Sequence, residues 1–206
     1  MIRYLLQGLI LGLAYVAPIG TQNLYLINTA IQKSKSKTYQ VALITIFFDI
    51  SLAISCFLGI GFLINKFSIL KEIIFLLGSI VVIYIGIGLV RSKSSQIIEN
   101  ESVDKSIIKT IVSCFAVTWL NPQAIIDGSL LLGGFRTSLS SEMSKYFIVG
   151  VCLASFMWFM FLATFVSRFR SKFSNIIKWI NIVCGIILIF YGLKLGYSFI
   201  QLIKSR

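Results

Sequence analysis

The sequence predicts an all-α integral membrane protein: six transmembrane helices in two sets of three, the second set inverted relative to the first, with the first and fourth helices broken. Three observations lead there. Of the 206 residues, 57% are hydrophobic and 13% charged, and the mean hydropathy is +0.93, whereas a soluble domain is about half apolar and a quarter charged. The apolar residues gather in six runs, each near the roughly 20 residues that cross a bilayer, which leaves no room for a sizeable soluble domain. The chain has two prolines, Pro18 and Pro122, and both fall inside such runs, in the first and the fourth.

Taken in order, the runs are Tyr4 to Ala30, Tyr39 to Ile64, Ile73 to Val90, Thr110 to Leu132, Tyr146 to Ser167 and Trp179 to Gln201. They are apolar on every face, so they read as helices; a β-barrel would show short segments of alternating polarity. The first run contains Pro18, Gln22 and Asn23 and is too long for the apolar core of a signal peptide, so it is read as mature structure. One transporter domain, 1–206, is expected, with a first three-helix half over 1–90, a polar linker loop over 91–109 and a second half over 110–206. Three helices end on the opposite side from where they began, so a repeat of the unit is inverted in the membrane.

Nineteen Lys and Arg against seven Asp and Glu give a formal charge of +12. In a soluble domain that would suggest nucleic acid, but here the cations sit in the short connections, where they orient the chain and meet anionic lipid. The loops holding Lys33 to Lys37, Arg91 to Lys109 and Arg168 to Lys178 carry eleven cations; the opposite side carries seven, which places the odd-numbered loops in the cytoplasm and both termini outside. Lys33-Ser34-Lys35-Ser36-Lys37 reads as a solvated loop. Cys56, Cys114, Cys152 and Cys184 lie in separate runs and the chain has no histidine, so neither a disulfide framework nor a metal site is expected.

The chemistry gathers around the prolines, in Ala17-Pro18-Ile19-Gly20-Thr21-Gln22-Asn23 and in Trp119-Leu120-Asn121-Pro122-Gln123-Ala124-Ile125-Ile126-Asp127. Proline interrupts a helix interior but is favoured as the first residue of a new one, and Asn121 suits the N-cap of such a restart. Backbone groups freed at membrane depth survive only where protein or a water-filled cavity satisfies them, and two helix starts together offer partial positive charge to a carboxylate. Asp49 and Asp127 lie inside the second and fourth runs, where a central Asp opposes insertion by roughly 2.5–3.5 kcal/mol. Such residues face a cavity, a partner or a proton path. Thr45 and Gln123 stand one turn before the two acids, on the same helix faces. Lys194 is the one cation inside a run available to pair with an acid; its alternative is to reach for the interface. Gly192-x-x-x-Gly196, Gly86-x-Gly88 and Gly150 with Ala154 and Ser155 read as packing faces, and Trp119, Trp158 and Trp179 as packing or interface anchors.

These segments resemble those of the LysE family of amino-acid exporters, the group that includes the lysine and arginine exporters. Gly8-x-x-x-Gly12 followed by Pro18-Ile19-Gly20-Thr21-Gln22-Asn23 is similar to its first-helix motif, and Phe48-Asp49 with Leu52 to its second-helix aspartate segment. Thr118-Trp119-Leu120-Asn121-Pro122 with Asp127 resembles the fourth-helix signature; Ala154-Ser155-Phe156-x-Trp158-Phe159 and Ile180-Asn181 with Gly185 and Gly192 resemble the fifth and sixth. Thr21 stands where members often have a second proline or alanine, a change that would soften the break. Gln123 stands where exporters of basic amino acids commonly have histidine.

The resemblance implies a multi-pass transporter of the plasma membrane that exports an amino acid, lysine or arginine, by alternating access with inward proton movement. Its partners would be a small-molecule amino acid, protons and the lipid bilayer, with no cofactor, metal or nucleic acid; homo-oligomerisation stays open. Pro18, Gly20, Asn121, Pro122 and Gln123 would meet the substrate carboxylate, Asp49 and Asp127 its amino group or side chain, and Gln22 and Asn23 would complete the site. Asp49 and Asp127 would also carry the proton. Two alternatives stand beside this reading: an intramembrane aspartyl protease using the same two acids, and a noncatalytic membrane scaffold in which the polar residues only join helices.

Overall fold

The computed structural model describes residues 1–60, 66–91, 107–136, 139–169 and 177–204, and every regular element among them is helical. α1 (Ile2–Val16) and α2 (Thr21–Gln32) make up the first run and α3 (Lys35–Phe57) the second. α4 (Ser68–Val90) is the third; α5 (Ile107–Trp119) and α6 (Pro122–Gly128) share the fourth; α7 (Ser141–Arg168) and α8 (Ile177–Lys204) are the fifth and sixth. Beyond α6 the chain passes through a π-helical turn, Ser129–Gly133, into a last α-turn, Gly134–Arg136. By length and composition α3, α7 and the Ile182–Lys204 part of α8 can each cross a membrane, and α1 with α2 makes a fourth candidate if the bent pair is one span.

Several boundaries differ from the hydropathy breaks for identifiable reasons. Ser34 caps α3, its hydroxyl accepting the Lys37 amide at 3.3 Å, so Lys35 to Lys37 form a first helical turn and not a loop. α3 stops at Phe57, short of the predicted Ile64, because the chain turns at Gly59, whose φ of +96° suits glycine. α5 already begins at Ile107, inside the predicted linker; the remainder of that linker, 92–106, lies outside the described residues.

Two helix pairs set the packing. α1 lies along α7, and α4 lies along α8, both through seams of small residues. A Cβ added to Gly8 would fall 2.0 Å from the Phe147 carbonyl oxygen, and one on Gly150 would fall 2.2 Å from that of Leu5. In the second seam Gly86 meets the Gly185 carbonyl, and the Ser79 hydroxyl donates to the Gly192 carbonyl at 2.8 Å. Close backbone approach of this kind is what small residues permit in lipid. Gly88, of the same predicted face, meets open space instead. α3 packs on α5 and α7, and α2 is the central element, touching α3, α5, α7 and α8.

Polarity runs opposite to that of a soluble protein. Phe47, Tyr84, Leu130 and Phe190 are each about two-thirds exposed or more, whereas Thr21, Gln22, Asn23, Asn28, Thr45, Asp49 and Ser155 are buried. Large apolar side chains outward and polar ones inward are the arrangement expected when the surrounding solvent is lipid.

Candidate functional site

The first break is sharp. α1 and α2 meet at 75° across Ala17 to Gly20, so Thr21 does not soften it. Pro18 lies in this connection and does not open the second helix; Gly20 is the extended N-cap and Thr21 the first helical residue. Asn23 holds the bend. Its side-chain amide donates to the carbonyls of Val16 at 3.1 Å and Pro18 at 2.7 Å, while its oxygen accepts the Trp158 indole N–H at 3.1 Å. The interruption frees those carbonyls, and a buried carbonyl without a donor would be costly.

The second break matches the sequence closely. Asn121 is the extended N-cap and Pro122 the first residue of α6, where a missing N–H loses nothing. The Asn121 side chain makes no capping bond to its own helix. It donates to the Thr21 hydroxyl at 3.2 Å, and that hydroxyl donates to the Val117 carbonyl at 2.8 Å. The starts of α2 and α6 therefore adjoin, although they come from different halves of the chain.

Asp49 sits beside this junction, 1% exposed on α3. Gln22 donates to its Oδ1 at 2.9 Å and Ser155 to its Oδ2 at 2.6 Å, so α2 and α7 each supply a neutral donor. Thr45, expected beside Asp49, instead points to Cys114, 3.5 Å from its sulfur. Asp127 is half-buried and accepts from Gln123 at 2.8 Å, one turn before it. Gln123 and Pro18 are exposed and Gly20 is partly so, which leaves the helix starts open on one side. Lys194 is exposed on α8.

The structure thus joins Gln22 to Asp49, Gln123 to Asp127 and, through Thr21, Asn121 to the first break. It gives the two acids different partners. Tyr15, at the end of α1, packs beside Gly128, which follows Asp127, and against the clusters on the α3 face that holds Asp49. Sequence reasoning passed over Tyr15 as a site residue, took Thr21 as a departure and put Ser155 and Trp158 among packing residues. Their signal is helical register: Ser155 and Trp158 share a face of α7 one turn apart, and Thr21 and Gln22 open the restarted helix. Trp119 also turns inward, donating to the Ser51 hydroxyl at 3.1 Å. The four cysteines are free thiols, and no group of metal-ligating residues occurs among the described residues.

A helical membrane protein with two interrupted spans around buried polar groups has the design of a transporter. Comparison with known proteins makes that specific. The family described as LysE type translocator matches residues 13–199. The arginine exporter protein ArgO of Shigella flexneri is 31% identical over 203 residues, covering 95% of this chain and 94% of that protein. The ArgO proteins of Klebsiella pneumoniae strain 342 and Escherichia coli K12 are each 30% identical over 201 residues with the same coverage. No solved structure matches the chain. The chain belongs to the LysE-type translocator family. It is a multi-pass transporter of the cell membrane and not an enzyme, which removes the aspartyl protease alternative.

Proposed function

We propose that this transporter exports a cationic amino acid, arginine foremost, by alternating access coupled to inward proton movement. The observation that carries the reading is the environment of Asp49: a buried carboxylate whose two oxygens are met by the neutral donors Gln22 and Ser155. Neutral donors solvate a charge without cancelling it, so the site calls for a counter-charge, and a cationic substrate or a proton can each supply one. The names of the ArgO relatives make arginine the first substrate to test.

In this reading Asp49 alternates between proton and substrate. Ser155 suits the exchange, because its hydroxyl lies 2.6 Å from Asp49 and 3.4 Å from the Val151 carbonyl. It can donate to the ionised carboxylate, or accept from the protonated acid while turning its own hydrogen to Val151. Asp127, more open and steadied by Gln123, receives the cationic end of the substrate. The helix starts at Gly20 and at Asn121 to Pro122 receive the substrate carboxylate, and Pro18 and Asn23 keep the first break in shape.

Six spans in two inverted halves, 1–90 and 110–206 with 91–109 between them, agree with the packing. α4 lies on α8, third span on third. α3 lies on α7, second on second. α1 lies on α7 and the α5–α6 segment on α3, each the first span of one half against the second of the other. Partners exchange in that way about a twofold axis in the membrane plane.

The test is counterflow and efflux of labelled arginine, lysine and neutral amino acids in proteoliposomes, with and without a pH gradient. Arginine efflux should quicken when the receiving side is acid, and neutral amino acids should compete poorly. Efflux indifferent to the gradient would overturn the proton coupling, and preferred transport of neutral amino acids would overturn the cationic substrate. Absence of arginine and lysine transport would overturn the cationic substrate as well.

A further inference from the structure

The Tyr15 hydroxyl is buried and has no hydrogen-bond partner. The Thr118, Ser129 and Ser167 hydroxyls are in the same condition, but on a helix a change of χ1 brings such a group to a carbonyl of the preceding turn. A tyrosine hydroxyl stands at the far end of a rigid ring and cannot return to its own helix. Its partner has to come from the space the ring points into.

The neighbours define that space. A Cβ added to Gly128 would lie 3.1 Å from Tyr15 Cε2, next to the hydroxyl-bearing carbon, and 2.9 Å from Cys56 Sγ. Gly128 directly follows Asp127, and Cys56 lies two turns beyond Asp49 on α3. The ring packs between a cluster containing Val16 and Ile46 and one containing Ala53, Phe57 and Val151, along the face of α3 that holds Asp49. The phenol oxygen therefore has free lone pairs beside the segments of α3 and α6 that carry the two acids.

Lone pairs are of no use to an ionised carboxylate, which accepts only. They suit an N–H donor. An ammonium offers three such donors from one point, whereas a guanidinium spreads five around a plane and needs acceptors on more than one side. We propose that Tyr15 is a specificity-determining residue whose hydroxyl oxygen accepts an N–H from a guanidinium held between Asp49 and Asp127, favouring arginine over lysine. This rests on the cationic-export reading and adds the residue that selects the cation.

The experiment compares wild type with Tyr15→Phe, measuring thermal stabilisation of the purified protein by arginine, lysine and alanine, and counterflow KM in proteoliposomes. Without ligand, Tyr15→Phe should be at least as stable as wild type, since it removes a buried hydroxyl that lacks a partner. Its arginine KM should rise about tenfold, with little change in maximal rate and a smaller change for lysine. Gly128→Ala, whose methyl crowds the Tyr15 ring and Cys56 Sγ and leaves the hydroxyl intact, should weaken the same preference and serves as the second probe. A folded Tyr15→Phe with unchanged arginine and lysine affinities overturns the assignment of Tyr15 alone. If wild type itself responds to neither cation, the export reading falls and Tyr15 falls with it.

Discussion

The side-chain amide of Asn121 reaches the hydroxyl of Thr21 at 3.2 Å, across 100 positions of sequence. One residue is the N-cap of α6 and the other the first residue of α2, so the interruptions of the two halves are fastened to each other. Thr21→Val keeps the shape but removes both the acceptor for Asn121 and the donor to Val117. The expected loss is about 1–3 kcal/mol of stability, from the polar groups left unpaired, with slowed arginine efflux, and Thr21→Ser should restore both. Thermal denaturation and efflux rates of the three proteins check this.

Replacing Asp49 by Asn removes the charge while keeping the size. Efflux of arginine should fall about 10- to 100-fold with membrane insertion unchanged, as judged by membrane yield. Asp127→Asn should also lower export; normal arginine efflux in either variant would contradict the assigned roles.

Gln22→Leu leaves Asp49 Oδ1 without its donor. A stability loss of about 1–3 kcal/mol is expected, larger than for replacement of the exposed Gln123 by Leu. Denaturation of the two variants in one detergent makes the comparison.

Ser155→Ala should act on coupling more than on binding. With the hydroxyl gone, nothing on α7 follows the change of proton at Asp49, so the acceleration of efflux by a pH gradient should shrink while arginine still stabilises the purified protein. Retention of the full pH-gradient effect would show that Ser155 only packs.

The glycine seams give a contrast that does not depend on transport. Gly8→Ala would set a methyl 2.0 Å from the Phe147 carbonyl oxygen, whereas Gly88→Ala meets nothing within 4 Å. The first should destabilise by about 1–3 kcal/mol as α1 and α7 are forced apart, and the second should be neutral or stabilising by about 0.5–1 kcal/mol. Thermal melts decide it.

Hydropathy and proline placement were enough to read the six apolar runs, the interruptions near Pro18 and Pro122, the N-cap at Asn121 and the buried position of Asp49. These are properties of a local stretch of chain: an apolar run seeks lipid whatever surrounds it, and a proline lacks its N–H in every context. The pairing of Gln123 with Asp127 is local too, one turn apart on a single helix.

The rest depends on how helices are rotated and how closely they cross, and no local stretch encodes that. Thr45 shares a face with Asp49 yet bonds to Cys114, because α5 lies against that part of α3. Asn23 was legible as polar, but its use in closing the first break follows from the 75° angle between α1 and α2. Ser155 reaches Asp49 from 106 positions away because α7 packs on α3, and Tyr15 comes to lie beside Gly128, at the end of α6, only in the assembled bundle. Composition assigned the chain to the bilayer; close packing between distant helices chose which polar groups surround Asp49 and left the Tyr15 oxygen without a partner.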